Sequence, residues 1–305
     1  MENQIPDTIR AMILRRCLFV SMLLLVLVCG IFVTYFALCS HRQVNHEIIR
    51  VAVNHRKLVD QFFQEKIAML QFIGSIMDYE SLILPGRLER VCALLQNSTR
   101  AFVDLGVFDD LGNHVAYAGP HDLAGKNYGK EIWFQMVKNR GIYISDAFPG
   151  FRGIPHFIVA VRRTEGPRTW FLRATVDAWF FSNLVESVRL GSTGEAYIVN
   201  RHGILQTHRR SGGQVMESDG DFKDCMKGNL SVSAFLAGGS WGSRYVYAGL
   251  PLEQTDWVLV VRQTLWDAYR VLAVSAAISI LILIGGVILV AVLGFVLTSD
   301  MEIRP

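Results

Sequence analysis

The sequence predicts an α+β chain: a long N-terminal helix carrying two tandem modules built on antiparallel sheets, with a membrane-crossing helix on either side. Three observations predict it. Two long stretches carry no charge, an apolar stripe at helical spacing follows the first, and a strand, polar turn, glycine, strand design occurs at Val107 and again at Ile198. The 305 residues are 51% hydrophobic and 19% charged, against about 25% charged in an ordinary soluble domain. That excludes intrinsic disorder and argues against a single soluble enzyme domain. Thirty basic residues face 27 acidic ones, a balance that gives no reason to expect a nucleic-acid partner.

The apolar excess sits at Cys17–Cys39 and Val271–Ser299, which contain no charged residue. A helix rising about 1.5 Å per residue crosses the ~30 Å hydrocarbon layer in about 20 residues, and both stretches are longer. The first exceeds the apolar core of a signal peptide, and no A-x-A site follows it before His41, so it reads as an uncleaved anchor. Arg10, Arg15 and Arg16 precede it, whereas only Arg42 and Arg50 follow closely. The positive-inside rule therefore keeps residues 1–16 in the cytoplasm, sends residues 40–270 outward, and returns 300–305 to the cytoplasm. The expected organisation is a first membrane helix over 17–39, a stalk helix and second helix over 40–97, a membrane-distal module over 98–177, a membrane-proximal module over 178–265 and a second membrane helix over 271–299. Cys92 and Cys225 alone of five cysteines lie in the outer region, as a disulfide or as two buried thiols.

From residue 41 onward Val44, Ile48, Val51, Leu58, Phe62, Ile67, Leu70, Ile73 and Ile76 form an apolar stripe, with no proline before Pro85. Such a helix makes a homodimer contact, packs on its own domain, or does both. A second helix is expected over Arg87–Asn97. Strands follow at Phe102–Phe108 and His114–Ala118 around an Asp/Gly turn, then a helix near Lys130–Arg140 and strands at Tyr143–Ser145, Pro155–Arg162 and Trp170–Val176. The design then recurs: a helix over Ala178–Leu190, strands at Glu195–Asn200 and Ile204–His208 about an Arg-His-Gly turn, and further strands at Ser240–Leu250 and Trp257–Gln263. Gly238-Gly-Ser-Trp-Gly242 lacks the Lys-Ser/Thr of a phosphate loop and reads as a plain loop. No nucleophile, base or metal cluster has a supporting local motif, so no catalytic residue, metal or cofactor is expected.

Gly191-Ser-Thr-Gly-Glu-Ala-Tyr-Ile-Val-Asn-Arg-His-Gly-Ile-Leu-Gln-Thr-His208 resembles the opening of the membrane-proximal module of double Cache (dCache, PAS-like) domains, the extracytoplasmic sensor regions of bacterial transmembrane receptors. Trp133-Phe134, Tyr143-Ile-Ser-Asp146 and Val176-Asp177 resemble stations of the family's distal module, and Trp257-Val-Leu-Val-Val-Arg-Gln263 its closing strand. The resemblance covers about residues 41–265. It implies two tandem PAS-like (Cache) modules on a long helix, a small-molecule ligand held in the distal one, and a bacterial inner-membrane receptor that acts as a homodimer. A sensor histidine kinase is the favoured class, with these 305 residues as its input region and the output domain lying beyond them. A chemoreceptor, a cyclic-dinucleotide enzyme and a membrane-anchored accessory protein are the alternatives.

The resemblance makes Trp133, Phe134, Tyr143, Asp146 and Asp177 candidate ligand-binding residues, and Tyr128 and Arg152 complete the set. Asp177 has a second role open to it, as the N-cap of the helix that begins at Ala178. Amino-acid-binding members of the family place an arginine two residues before the tryptophan to hold a carboxylate; here that residue is Glu131. Aromatic residues with Asp146 and Asp177 suit an amine-bearing ligand better than a plain carboxylate.

Overall fold

The computed structural model describes residues 7–150, 153–221, 234–238 and 244–302. The chain divides into two compact units, Met1–His46 with Trp266–Pro305, and Glu47–Leu265. The first helix, α1, is continuous over Asp7–Ile76 and contributes to both.

In the first unit, the start of α1 packs against α7, Arg270–Glu302. Both are long and apolar enough to cross a membrane, and side chains such as Leu24, Leu27, Leu281 and Ile282 point outward. Small residues set the approach: a Cβ added to Gly294 would lie 2.9 Å from Leu18 Cδ1, so glycine is what lets the helices close. His41 Nδ1 and the Tyr269 hydroxyl are 2.5 Å apart at one end of this pair.

In the second unit, α1 buries Ile48, Ala52, Val59, Phe63 and Leu70, a stripe with steps of four and seven residues. Phe63 is its anchor, with ring centroids 5.2 Å from Phe181, 5.9 Å from Phe157 and 5.6 Å from Trp257. The chain then forms α2 (Tyr79–Leu82), whose first turn is capped by Asp78 accepting from the Ser81 N–H at 2.8 Å, and α3 (Arg87–Ser98). Cys92 is a buried thiol that donates to the Ala118 carbonyl, and burial pushes its pKa up to about 11. Cys225 lies outside the described residues.

Strands β1 (Phe102–Phe108), β2 (His114–Ala118), β3 (Ile142–Ile144), β4 (His156–Glu165) and β5 (Arg168–Asp177) make an antiparallel sheet of order β2-β1-β5-β4-β3. Helix α4 (Ile132–Arg140) lies between β2 and β3 in the chain. After α5 (Ala178–Glu186), strands β6 (Glu195–Asn200), β7 (Ala234–Gly238), β8 (Arg244–Pro251) and β9 (Trp257–Thr264) make a second sheet of order β6-β9-β8-β7. A short α6 (Leu265–Ala268) follows β9.

Directly paired residues of antiparallel strands share a face. In the first sheet Val176 pairs with Phe157, which packs on Phe63 of α1, whereas Arg173 pairs with Ala160 on the opposite face, in the cluster under α4. In the second sheet Trp257 packs on Phe63, and Val258, Val260 and Arg262 take the other face with Tyr197 and Tyr247. Each sheet therefore turns one face to α1 and keeps the other for its own chemistry.

Two expectations need correction. The predicted strand at Ile204–His208 forms only isolated bridges, Val199 to Leu205 and Ile204 to Ser218. Side chains displace its ladder: the Thr207 hydroxyl accepts from the Ile198 N–H, and Asn200 Oδ1 takes the N–H groups of His202 and Ile204. The helix predicted to reach Leu190 stops at Glu186, where the Ser187 hydroxyl donates to the Leu184 carbonyl at 2.7 Å. Of the glycine-rich segment, residues 239–242 lie outside the described residues.

Candidate functional site

The first sheet and α4 enclose an aromatic cluster. Phe108 ends β1, and the turn after it is fixed by Asp109 Oδ1, which accepts from the Leu111 and Asn113 N–H groups at 3.0 and 2.8 Å. The returning chain brings Tyr128 back onto this turn through its N–H to the Gly112 carbonyl at 2.8 Å. Glu131 then enters α4 in an extended conformation without capping it, so its carboxylate is left for other use. Trp133, Phe134 and Val137 are the buried face of α4, and Phe134 sets its ring 4.8 Å from that of Phe171 on β5.

A cavity of about 150 Å³ opens in this cluster, bordered by Tyr128, Glu131, Trp133, Phe148, His156 and Arg173. A second, of about 330 Å³, shares Glu131, Trp133 and Phe148 with it and adds Tyr143, Asp146 and Arg201. A third, of about 240 Å³, is lined by Arg140, Tyr143, Asp146 and Trp257.

Arg173 is not one of the residues that the sequence singles out, yet it is the most unusual group here. It is 3% exposed, in the middle of β5. Its guanidinium carbon lies 4.9, 5.2 and 5.4 Å from the ring centres of Phe108, Tyr128 and Trp133. Its Nη2 is 3.9 Å from Asp104 Oδ1, an ion pair beyond hydrogen-bond length, and its Nε and Nη2 have no hydrogen-bond acceptor. Trp133 Nε1, buried in the same cavity wall, has none either. The signal in the sequence was a single charge inside the apolar run Trp170–Val176, since a buried strand admits arginine only when something meets it.

The candidates fall into distinct places. Tyr128 and Trp133 border the first cavity, and Tyr143 and Asp146 the second. Burial raises the Tyr143 pKa, and the Asp146 charge adds to the effect. Phe134 is 1% exposed and packs behind Trp133. Asp177 caps α5, accepting from the Trp179 and Phe180 N–H groups at 2.7 and 3.2 Å, and does not border the three cavities. Arg152 lies outside the described residues. Asp146 reaches into the neighbouring sheet: its Oδ1 accepts from Trp257 Nε1 at 2.6 Å and its Oδ2 from Asn200 Nδ2 at 2.7 Å.

The corresponding face of the second sheet is closed by its own charges. Arg262 donates to Glu195 at 2.6 Å, to Asp221 at 2.5 Å and to the Ser211 hydroxyl at 2.8 Å. Arg209 pairs with Asp219 at 2.6 Å. Burial works against the Arg262 charge, but Tyr197 and Glu195 outweigh it and hold the pKa above the ordinary arginine value.

No family model matches the chain, and no curated protein does. Solved structures do. The extracellular domain assigned to a histidine kinase, rpHK1S-Z16, is 17% identical with a TM-score of 0.63 over 75% of this chain and 96% of that one. The ligand-binding domain of the Pseudomonas aeruginosa amino acid chemoreceptor PctB, in complex with L-Gln, is 16% identical with a TM-score of 0.58 over 72% and 90%. That of the Pseudomonas fluorescens chemoreceptor CtaA, in complex with L-isoleucine, is 12% identical with a TM-score of 0.59 over 76% and 96%. Identity this low carries the architecture and leaves side-chain roles to the residues themselves. The fold of Glu47–Leu265 is that of the extracellular double Cache sensor domains.

Proposed function

We propose that the chain is the extracytoplasmic sensing and transmembrane signalling region of a bacterial receptor, a sensor histidine kinase in first place, with residues 40–270 outside the inner membrane and a small molecule bound in the membrane-distal module. The observation that carries this reading is the pair of adjoining cavities between the distal sheet and α4, walled by Tyr128, Trp133, Tyr143 and Asp146. The architecture supports it, since the similar domains belong to histidine kinases and chemoreceptors, and two of those chemoreceptor domains hold amino acids.

A route for the signal follows from chain order. Asp146 borders the second cavity and holds Trp257 at the start of β9. Strand β9 leads through α6 directly to the apolar α7. A ligand that binds more tightly to one arrangement of Asp146 and Trp257 shifts the population of arrangements at the second span by that difference in affinity. Leu58, Phe72 and Ile76 stay exposed on α1 and supply an apolar surface for a homodimer.

The test is to fuse the chain after Pro305 to the catalytic half of a histidine kinase in nanodiscs. Compounds that raise its melting temperature should also change autophosphorylation. Binders that leave phosphorylation untouched in every fusion register would count against signalling. A chemotaxis output fused in the same way separates the kinase from the chemoreceptor reading.

A further inference from the structure

The aromatic cage of the distal module already holds a cation of its own. Phe108, Tyr128 and Trp133 face the Arg173 guanidinium at 4.9–5.4 Å, so a ligand ammonium entering there would meet a like charge. Beside the Glu131 carboxylate, the first cavity is bordered by donors that have no acceptor. Arginine and the indole N–H are donors only, and Arg173 Nε, Arg173 Nη2 and Trp133 Nε1 are all buried without an acceptor. Nε–H and one N–H of Nη2 lie on the same edge of the guanidinium, the edge that forks onto the two oxygens of a carboxylate. Leaving such donors unmet in the interior is costly, and three of them on two residues bordering one cavity suit an oxyanion. Asp104 balances the charge of Arg173 from 3.9 Å without taking these bonds.

We propose that Arg173 is the ligand-anchoring residue of this chain and that the ligand is a small monocarboxylate, its oxygens on the Nε/Nη2 edge of Arg173 and on Trp133 Nε1, its apolar body against Tyr128 and Phe148. This rests on the sensory reading above and replaces the amine expected from the sequence. The anchoring arginine comes from the middle of the sheet, on β5, and Glu131 stands where the helix entry would otherwise supply it. The volume of about 150 Å³ suits a small ligand.

The full chain in nanodiscs is titrated calorimetrically with acetate, propionate and benzoate, and with ethylamine, propylamine and benzylamine. Carboxylates bind and the matched amines do not. Arg173→Lys, which keeps the charge and loses the fork, weakens carboxylate binding by about tenfold, and the charge-balanced double variant Asp104→Asn/Arg173→Gln by about tenfold to a hundredfold. Glu131→Gln tightens binding by removing a negative charge from the cavity wall. Thermal melting of each variant shows that it is folded. Amine binding without carboxylate binding, or carboxylate binding indifferent to both Arg173 variants, overturns the proposal and leaves the sensory reading standing. Binding of neither class overturns the proposal and counts against the sensory reading as well.

Discussion

The two sheets of this chain each place an arginine on an internal strand, facing away from α1, and treat it in opposite ways. Arg262 on β9 is saturated: Glu195, Asp221, Ser211 and Tyr247 take its N–H groups within 2.5–3.2 Å. Arg173 on β5 sits against aromatic rings with a carboxylate at 3.9 Å and two N–H positions unmet beside a cavity. In the first arrangement each guanidinium nitrogen already has an acceptor. In the second, two nitrogens have none. The two sheets therefore differ in how many acceptors surround one guanidinium.

The largest effects break this contrast directly. Arg262→Met leaves Glu195 buried without its cation and Asp221 with Arg209 at 3.4 Å, and breaking a buried pair in this way costs about 3–5 kcal/mol. Arg173→Met takes the cation from Asp104, which still accepts from the Tyr117 hydroxyl at 3.1 Å, and costs about 1–3 kcal/mol. Denaturant unfolding of both variants reads the ordering, and equal losses would remove the distinction between a structural and a receptive arginine. Next comes the bridge between the modules. Trp257→Phe keeps the ring against Phe63 and removes the N–H that Asp146 accepts, for a loss of about 1.5–3 kcal/mol. A double-mutant cycle with Asp146→Ala should show coupling of about 1 kcal/mol or more, and additive losses would mean that the two modules are not joined there.

How far the sequence reaches follows the same division. The two long apolar helices were legible because a whole helix length without charge stands out in composition alone, and β1, β2 and β6 because β-rich runs are bounded by Asp, Asn and Gly turns. Ile204–His208 misled because it follows the Arg-His-Gly turn as a returning strand would, while Asn200 and Thr207 spend their side chains on the backbone bonds a ladder would use. Arg173 was in plain view within an apolar run. Its role was not, because β1, β5 and α4 supply Phe108, Arg173 and Trp133 from distant parts of the chain, and only the fold puts them around one space. The same distance hid the partners of Asp146, Asn200 and Trp257. Asp177 shows the reverse case, where a local rule was enough to find a cap.

That cap gives a smaller effect. Asp177→Ala exposes two N–H groups of α5 and lowers stability by about 1 kcal/mol, whereas Asp177→Asn, an equally good cap, stays within about 0.5 kcal/mol of the parent in thermal melting. A large loss in the Asn variant would show that the charge itself is needed, which is what a ligand contact would require.

The smallest effect is set by pH and concerns how α1 is held to α5. His55 on α1 is 5% exposed, and its Nε2–H donates to the Val185 carbonyl of α5 at 2.8 Å. Burial lowers its pKa below 6.5, and the hydrogen bond to Val185 only partly offsets this. Between the folded and unfolded pKa values the unfolded chain binds more protons, so stability rises with pH in that interval and is lost on acidification. Asp60 and Glu186, whose pKa values burial raises, act with the opposite sign, adding stability that disappears as pH climbs through their raised values. The difference between wild type and His55→Gln cancels both carboxyls. It should shrink as pH falls through about 6.5, the wild type losing stability faster than the variant. A difference that stays constant with pH would mean that α1 accommodates a charged His55 without penalty, and that its contact with α5 yields to protonation.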